Sequence, residues 1–157
     1  MKSDDRGAVR VIAGTLKGRR LETPGWDGLR PTSDKLRETL FNVLAPRIGG
    51  AREVAFVDCD ARARALIAAN LTRCGIARGC AIIRASFNSL GVFDIALLDP
   101  PYDHDAEHVI VDCARSIGPG GVLVLEHARR TPVPESAAGL RRIRQIRSGD
   151  SVLSFYE

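Results

Sequence analysis

The sequence lacks any apolar run near the roughly 18 residues that a membrane-spanning helix needs. Its opening, Met1-Lys2-Ser3-Asp4-Asp5-Arg6, has no apolar stretch behind its charges, so a secretory signal peptide is not expected. Both absences point to a cytoplasmic protein with no membrane partner. Lysine is scarce: Lys2, Lys17 and Lys35 are the only three among 23 basic residues, and the rest are arginine. The four cysteines, Cys59, Cys74, Cys80 and Cys113, form no Cys-x-x-Cys pair and have no histidine at zinc-ligand spacing. No metal is expected, and the thiols are read as reduced. No internal repeat or low-complexity tract is present.

What is present fits one compact domain with a small appendage. The 157 residues are 45% hydrophobic and 27% charged, with a net charge of +4. Arginine grips phosphate with a planar fork and stacks on bases, so this balance leans towards nucleic acid. An arginine-biased genome accounts for it equally well, and position along the chain has to decide.

Val9 to Pro24 reads as a hairpin, with Gly14 to Gly18 at its turn. Arg10, Lys17, Arg19 and Arg20 cluster on it, which suits either a charged edge or a ribbon laid along an RNA backbone. Thr32 or Ser33 is placed to cap a helix over Lys35 to Leu44, with Leu36, Leu40, Phe41 and Leu44 on one face and Pro46 as its stop. From Glu53 the pattern alternates. Strands are expected at Val54–Val57, Ala81–Ile83, Phe93–Leu98 and Val122–Leu125, and helices at Ala61–Thr72 and Asp105–Ser116. Gly118-Pro119-Gly120-Gly121 closes the second of these helices. This rhythm predicts a parallel sheet covered by helices, finished by an antiparallel hairpin over Leu140–Arg147 and Ser151–Tyr156.

Ligands of such sheets sit outside the carboxyl ends of the strands. Asp58 ends the first strand and is placed to accept from ribose hydroxyls, unless it is a solvated strand end. Asp99-Pro100-Pro101-Tyr102 ends the third and is the specific signal. The prolines remove backbone donors and stiffen the turn, so the acid and the flanking carbonyls act as acceptors. An exocyclic base amine offers two N–H donors to such a turn, and Tyr102 offers a face on which an extruded base stacks. Glu126 and His127 either line a base pocket or cap the sheet. His104 and His108 are spaced four apart, but no third ligand is evident, so they are read as solvent-facing helix residues.

Three stretches together resemble the RsmD-like bacterial methyltransferases, which modify guanine N2 in small-subunit ribosomal RNA. They are Val11-Ile12-Ala13-Gly14 with Lys17 to Leu21, the run from Arg30-Pro31-Thr32-Ser33-Asp34 to Leu44, and Phe93 to Tyr102. The resemblance covers nearly the whole chain. It implies a class I, Rossmann-like α/β fold with S-adenosylmethionine as cofactor and a monomer acting on ribosomal RNA or the small-subunit particle. It implies Asp99, Pro100, Pro101 and Tyr102 as catalytic residues, and Asp58, Cys59, Ser86, Phe87 and Asp99 as cofactor-binding ones. Arg10, Lys17, Arg19, Arg20 and Arg30 are its RNA-binding candidates. Residues 1–46 form the RNA-binding extension and 47–157 the methyltransferase domain. That domain has apparent deletions near 51–52 and 87–91, because the family's first strand, glycine-rich loop and helix need on the order of 20 residues. A DNA amino-methyltransferase and a non-catalytic RNA-binding remnant are the alternatives.

Overall fold

The computed structural model describes residues 9–26, 32–85, 91–101 and 104–157. Its chain forms two compact units, Met1–Ala85 and Ser86–Glu157.

In the first unit the hairpin closes through Val11 N to Arg19 O (2.9 Å) and Gly18 N to Val11 O (2.8 Å), with one bridge between Arg10 and Arg20. Helix α1 (Asp34–Ile48) is capped by Ser33, whose Oγ accepts from Leu36 N at 3.2 Å. Leu36 and Leu44 are buried, but Phe41 is 49% exposed. Phe41 lies five residues beyond Leu36, about 140° round the helix, and so leaves the buried stripe. Pro46 does not stop the helix. Its missing N–H forfeits one bond, to the Asn42 carbonyl, in the last turn, where such a loss is tolerated.

Strand β1 (Val54–Val57), helix α2 (Ala61–Cys74) and strand β2 (Cys80–Ile83) make one βαβ unit. The two strands are parallel, in register from Val54↔Cys80 to Val57↔Ile83. Asp60 caps α2, and Gly75 ends it at φ +72°, a conformation glycine adopts without strain. The hairpin is clasped to α2. Glu22 N donates to Asn70 Oδ1 (2.7 Å), Asn70 Nδ2 donates to Glu22 O (3.0 Å), and Glu22 pairs with Arg73. Between α1 and β1 only residues 49–53 intervene.

The second unit holds β3 (Phe93–Leu98), α3 (Ala106–Ala114), β4 (Ile117–Ala128), β5 (Ser136–Ala137), β6 (Leu140–Ser148) and β7 (Ser151–Tyr156). Its sheet runs β3-β4-β7-β6-β5, with β3 parallel to β4 and every other pair antiparallel. Helix α3 packs Ala106, Val109, Ile110 and Cys113 onto Leu98, Leu123, Leu125 and Tyr156, which share one face. The expected hairpin forms as β6 and β7, and its second strand lies inside the sheet.

Gly118 to Gly121 do not close α3 but belong to β4. They form an irregularity in which Phe93 pairs with Ile117 and Ile95 with Val122. Pro119 is tolerated there because the ladder is already interrupted. A Cβ on Gly121 would stand 2.8 Å from Ile117 Cγ2, 2.9 Å from Gly118 O and 3.1 Å from Asp94 O, so the close approach requires glycine.

Candidate functional site

The acceptor motif is built by strand register. Leu98 pairs with Leu125, so Asp99 and Glu126, the next residue along each chain, stand side by side where the β3–β4 pairing stops. Glu126 is buried, while Asp99 is open to solvent on one side. Protein packed round the Asp99 carboxyl pushes its pKa up from 3.8 to about 6, and the Glu126 charge adds to the shift. After Pro100, the Pro101 carbonyl accepts from His104 N at 3.0 Å and leads the chain into α3, which Asp105 caps. Tyr102, Ser86, Phe87 and Arg30 lie outside the described residues.

His127 does not face an open pocket. Its Nδ1 bonds to the Ala128 carbonyl (2.9 Å), and its Nε2 lies 2.8 Å from Ser154 Oγ, to which Gln145 Nε2 donates (2.9 Å). A carbonyl only accepts, so Nδ1 carries the proton and Nε2 accepts from the serine. Burial lowers the His127 pKa and keeps the ring neutral. His104 precedes α3 rather than sharing a helix face with His108, and His108 stands 3.4 Å from Asp112. Among the described residues, no group of three His, Cys, Asp or Glu is arranged to hold a metal. Burial, with the Asp112 charge adding to it, pushes the Cys113 thiol up to about 11.

Asp58 ends β1 as expected. Its Oδ1 accepts from Asp60 N at 2.7 Å and shapes the turn into α2, and exposed Cys59 follows it. The second carboxylate oxygen suits a ribose hydroxyl. The methionine end of S-adenosylmethionine needs the backbone donors of a glycine-rich loop at a helix start. Residues 49–53 supply no such helix.

Of the basic candidates, Arg10 and Lys17 line a cleft of about 380 Å³ with Gly18, where they face Asp34 and Glu38. Arg20 stands opposite Arg10 in the bridge. Arg19 donates through its guanidinium to Arg73 O (3.0 Å), which makes it part of the clasp on α2.

The family described as conserved hypothetical protein 95 matches residues 9–53 and 49–157. The Bacillus subtilis (strain 168) protein YlbH, named as a candidate rRNA methyltransferase, is 26% identical over 182 positions, covering 95% of this chain and 98% of YlbH. Ribosomal RNA small subunit methyltransferase D of Haemophilus influenzae is 31% identical over 126 residues, 62% of this chain and 65% of that protein. The chain belongs to the RsmD-like family. A solved hypothetical protein of Thermus thermophilus shares its fold at TM-score 0.76 and 22% identity, over 94% of this chain and 98% of that one. The fold is the class I methyltransferase α/β fold, shared also with a solved Escherichia coli protein described as a candidate methyltransferase (TM-score 0.75, 23% identity, over 96% of this chain and 97% of that one).

The YlbH alignment has 182 positions against 157 residues here, so at least 25 positions have no counterpart. The two matched stretches meet at 49–53, the connection between α1 and β1.

Sequence reasoning left the role of Glu126 open and did not find the His127–Ser154–Gln145 chain or the clasp of Glu22 on Asn70. Each depends on strand register or on residues up to 48 apart in sequence, for which local patterning carries no signal. Among the described residues, no helix is long and apolar enough to cross a membrane.

Proposed function

We propose that this chain methylates the exocyclic N2 amine of a guanine in small-subunit ribosomal RNA, as a cytoplasmic monomer with S-adenosylmethionine as methyl donor. The observation that carries this reading is Asp99-Pro100-Pro101 at the carboxyl end of β3, with its carboxylate beside Glu126. Above pH 6 Asp99 is ionised and accepts an N–H of the amine. That bond holds the nitrogen in place and favours its lone pair; on transfer the methyl–sulfur bond of the donor would break as the N–C bond formed, and the amine would release one proton to Asp99. The Pro100 carbonyl takes the second N–H, and Tyr102 stacks on the extruded base. The cofactor supplies an electrophilic methyl group when bound, and Asp58, Cys59, Ser86 and Phe87 are the residues assigned to it. Arg10, Lys17, Arg20 and Arg30 contribute charge towards the RNA.

Methyl transfer from labelled cofactor to small-subunit particles tests the reading. Wild type is expected to transfer and Asp99→Ala to lose at least a hundredfold in rate; an unaffected variant removes Asp99 from the reaction.

A second reading is favoured by the short α1–β1 connection, residues 49–53, which has no room for the strand, glycine loop and helix that the family resemblance implies there. It makes the chain a non-catalytic RNA-binding member of the family. Calorimetry separates the two: measurable S-adenosylmethionine affinity supports the enzyme, and salt-sensitive RNA binding without it supports the binding protein.

A further inference from the structure

Strands β3, β4 and β6 all point the same way. Strand β7 is antiparallel to both β4 and β6, so β4 and β6 are co-directional, and β3 is parallel to β4. Their carboxyl ends therefore share one edge of the sheet with the amino end of β7. Asp99 follows β3 at that edge, and Glu126 lies near the end of β4. Arg129 and Arg130 form the turn directly after β4, where Arg129 N donates to Asp150 O at 2.8 Å. Arg147 lies near the end of β6, paired with Val152, which in turn pairs with His127, so it is one step beyond the Glu126–Leu153–Ile146 row and its long side chain reaches the rim from the other face of the sheet. Adjacent strands stand about 4.8 Å apart, so the row from Asp99 to Arg147 spans on the order of 14 Å, a length that a few nucleotides cover.

Arg129, Arg130 and Arg147 are exposed. None of the three forms an ion pair among the described residues. The β6–β7 turn adds one acid, Asp150, which already has a partner. The edge is thus divided by charge, with two carboxylates at the β3–β4 end and three guanidinium groups at the β4–β6 end. A nucleotide divides the same way: the amine edge of guanine donates hydrogen bonds, and the phosphates carry the negative charge.

We propose that Arg129, Arg130 and Arg147 form a phosphate-binding rim that holds the RNA backbone beside the base accepted at Asp99. This rests on the reading of Asp99 as the base-amine acceptor. It adds a contact surface in the second unit, separate from the hairpin arginines of the first. Arginine suits the task because its fork meets two phosphate oxygens at once.

The test compares two charge-matched double variants of the full chain. R129Q/R147Q removes two rim charges. R115Q/R141Q removes two exposed charges from the opposite edge, since Arg115 caps the end of α3 just before β4 begins and Arg141 is near the start of β6. The probe is a transcript of small-subunit ribosomal RNA, titrated across a series of salt concentrations, with thermal melts to show that both variants fold. R129Q/R147Q is expected to weaken binding by roughly tenfold and to flatten the slope of log K against log salt by about 1.4, for two lost phosphate contacts. R115Q/R141Q is expected to stay near wild type. Equal effects from the two variants, or no effect from the rim pair, overturn the rim and leave the Asp99 reading standing. Absence of wild-type binding overturns the ribosomal RNA reading itself.

Discussion

Asp99 and Glu126 follow Leu98 and Leu125, the last residues paired between β3 and β4, so two carboxylates stand side by side where that pairing stops. The pair holds Asp99 near a pKa of 6, mainly through burial and secondly through the Glu126 charge.

That shift has a defined sign for stability. The native state binds a proton at Asp99 that the unfolded chain releases near 3.8, so this group's contribution to stability falls as pH rises from about 4 to about 6. Asp99→Asn is therefore expected to melt higher than wild type at pH 7–8 and to show no gain at pH 4. Solvent reaches part of the carboxyl, so the gain is discounted to roughly 1 kcal/mol, or about 2–4 °C in Tm for a chain of this size. Melts of both proteins across this range check it. An equal gain at pH 4 would show that burial of the charge is not the cause.

Glu126→Gln removes the second cause and leaves the first. The Asp99 pKa is expected to fall from about 6 but to stay above 3.8, because burial remains. Carboxyl carbon NMR through a pH titration reads the value directly, and a midpoint unmoved from 6 would mean the two charges do not interact. In the wild type, guanine-amine binding is expected to weaken below pH 6 by up to about tenfold per pH unit, as Asp99 takes up its proton.

Gly121→Ala places a methyl group against two backbone oxygens and the Ile117 side chain. Backbone cannot step aside as a flexible side chain does, so a loss of about 1–3 kcal/mol is expected in urea unfolding. Gly139→Ala is the contrasting case: nothing lies within 4 Å of its added carbon, and its cost comes from the positive φ alone.

Ser154→Ala deletes the group between His127 and Gln145. It leaves a buried ring nitrogen without its donor and an amide without its acceptor, a loss of about 1–3 kcal/mol. The same variant is expected to leave RNA affinity near wild type, since Ser154 is fully buried. A large change in affinity with unchanged stability would contradict the structural role given to it.

The alternation of apolar runs with polar and glycine breaks made the strands and the two later helices legible, because burial periodicity is a local property. Pro46 misled on the end of α1, since a proline in the final turn costs one bond and no more. Gly118 to Gly121 read as the close of α3, yet their pairing with β3 draws them into β4 as an irregular stretch. The place of Asp99 just beyond β3 was legible from the apolar run before it. Its neighbour Glu126 was not assignable, because one step of register would have turned it to the other face. Similarly, the arginine count gave no location. Only the shared direction of β3, β4 and β6 gathers Arg129, Arg130 and Arg147 at one edge.

Strand β7 pairs with β6 through a tight turn and with β4 across a longer separation in sequence. Local closure is fast, so the β6–β7 hairpin is expected to form first and dock as a unit through its inner strand. Until it docks, β4 shows the run Val122-Leu123-Val124-Leu125 along an unpaired edge, the type of segment that recruits strands from other chains. Aggregation during refolding should therefore depend on how quickly that hairpin closes, and changes at Gly149, where φ is +60°, should raise aggregation more than their effect on the finished fold suggests.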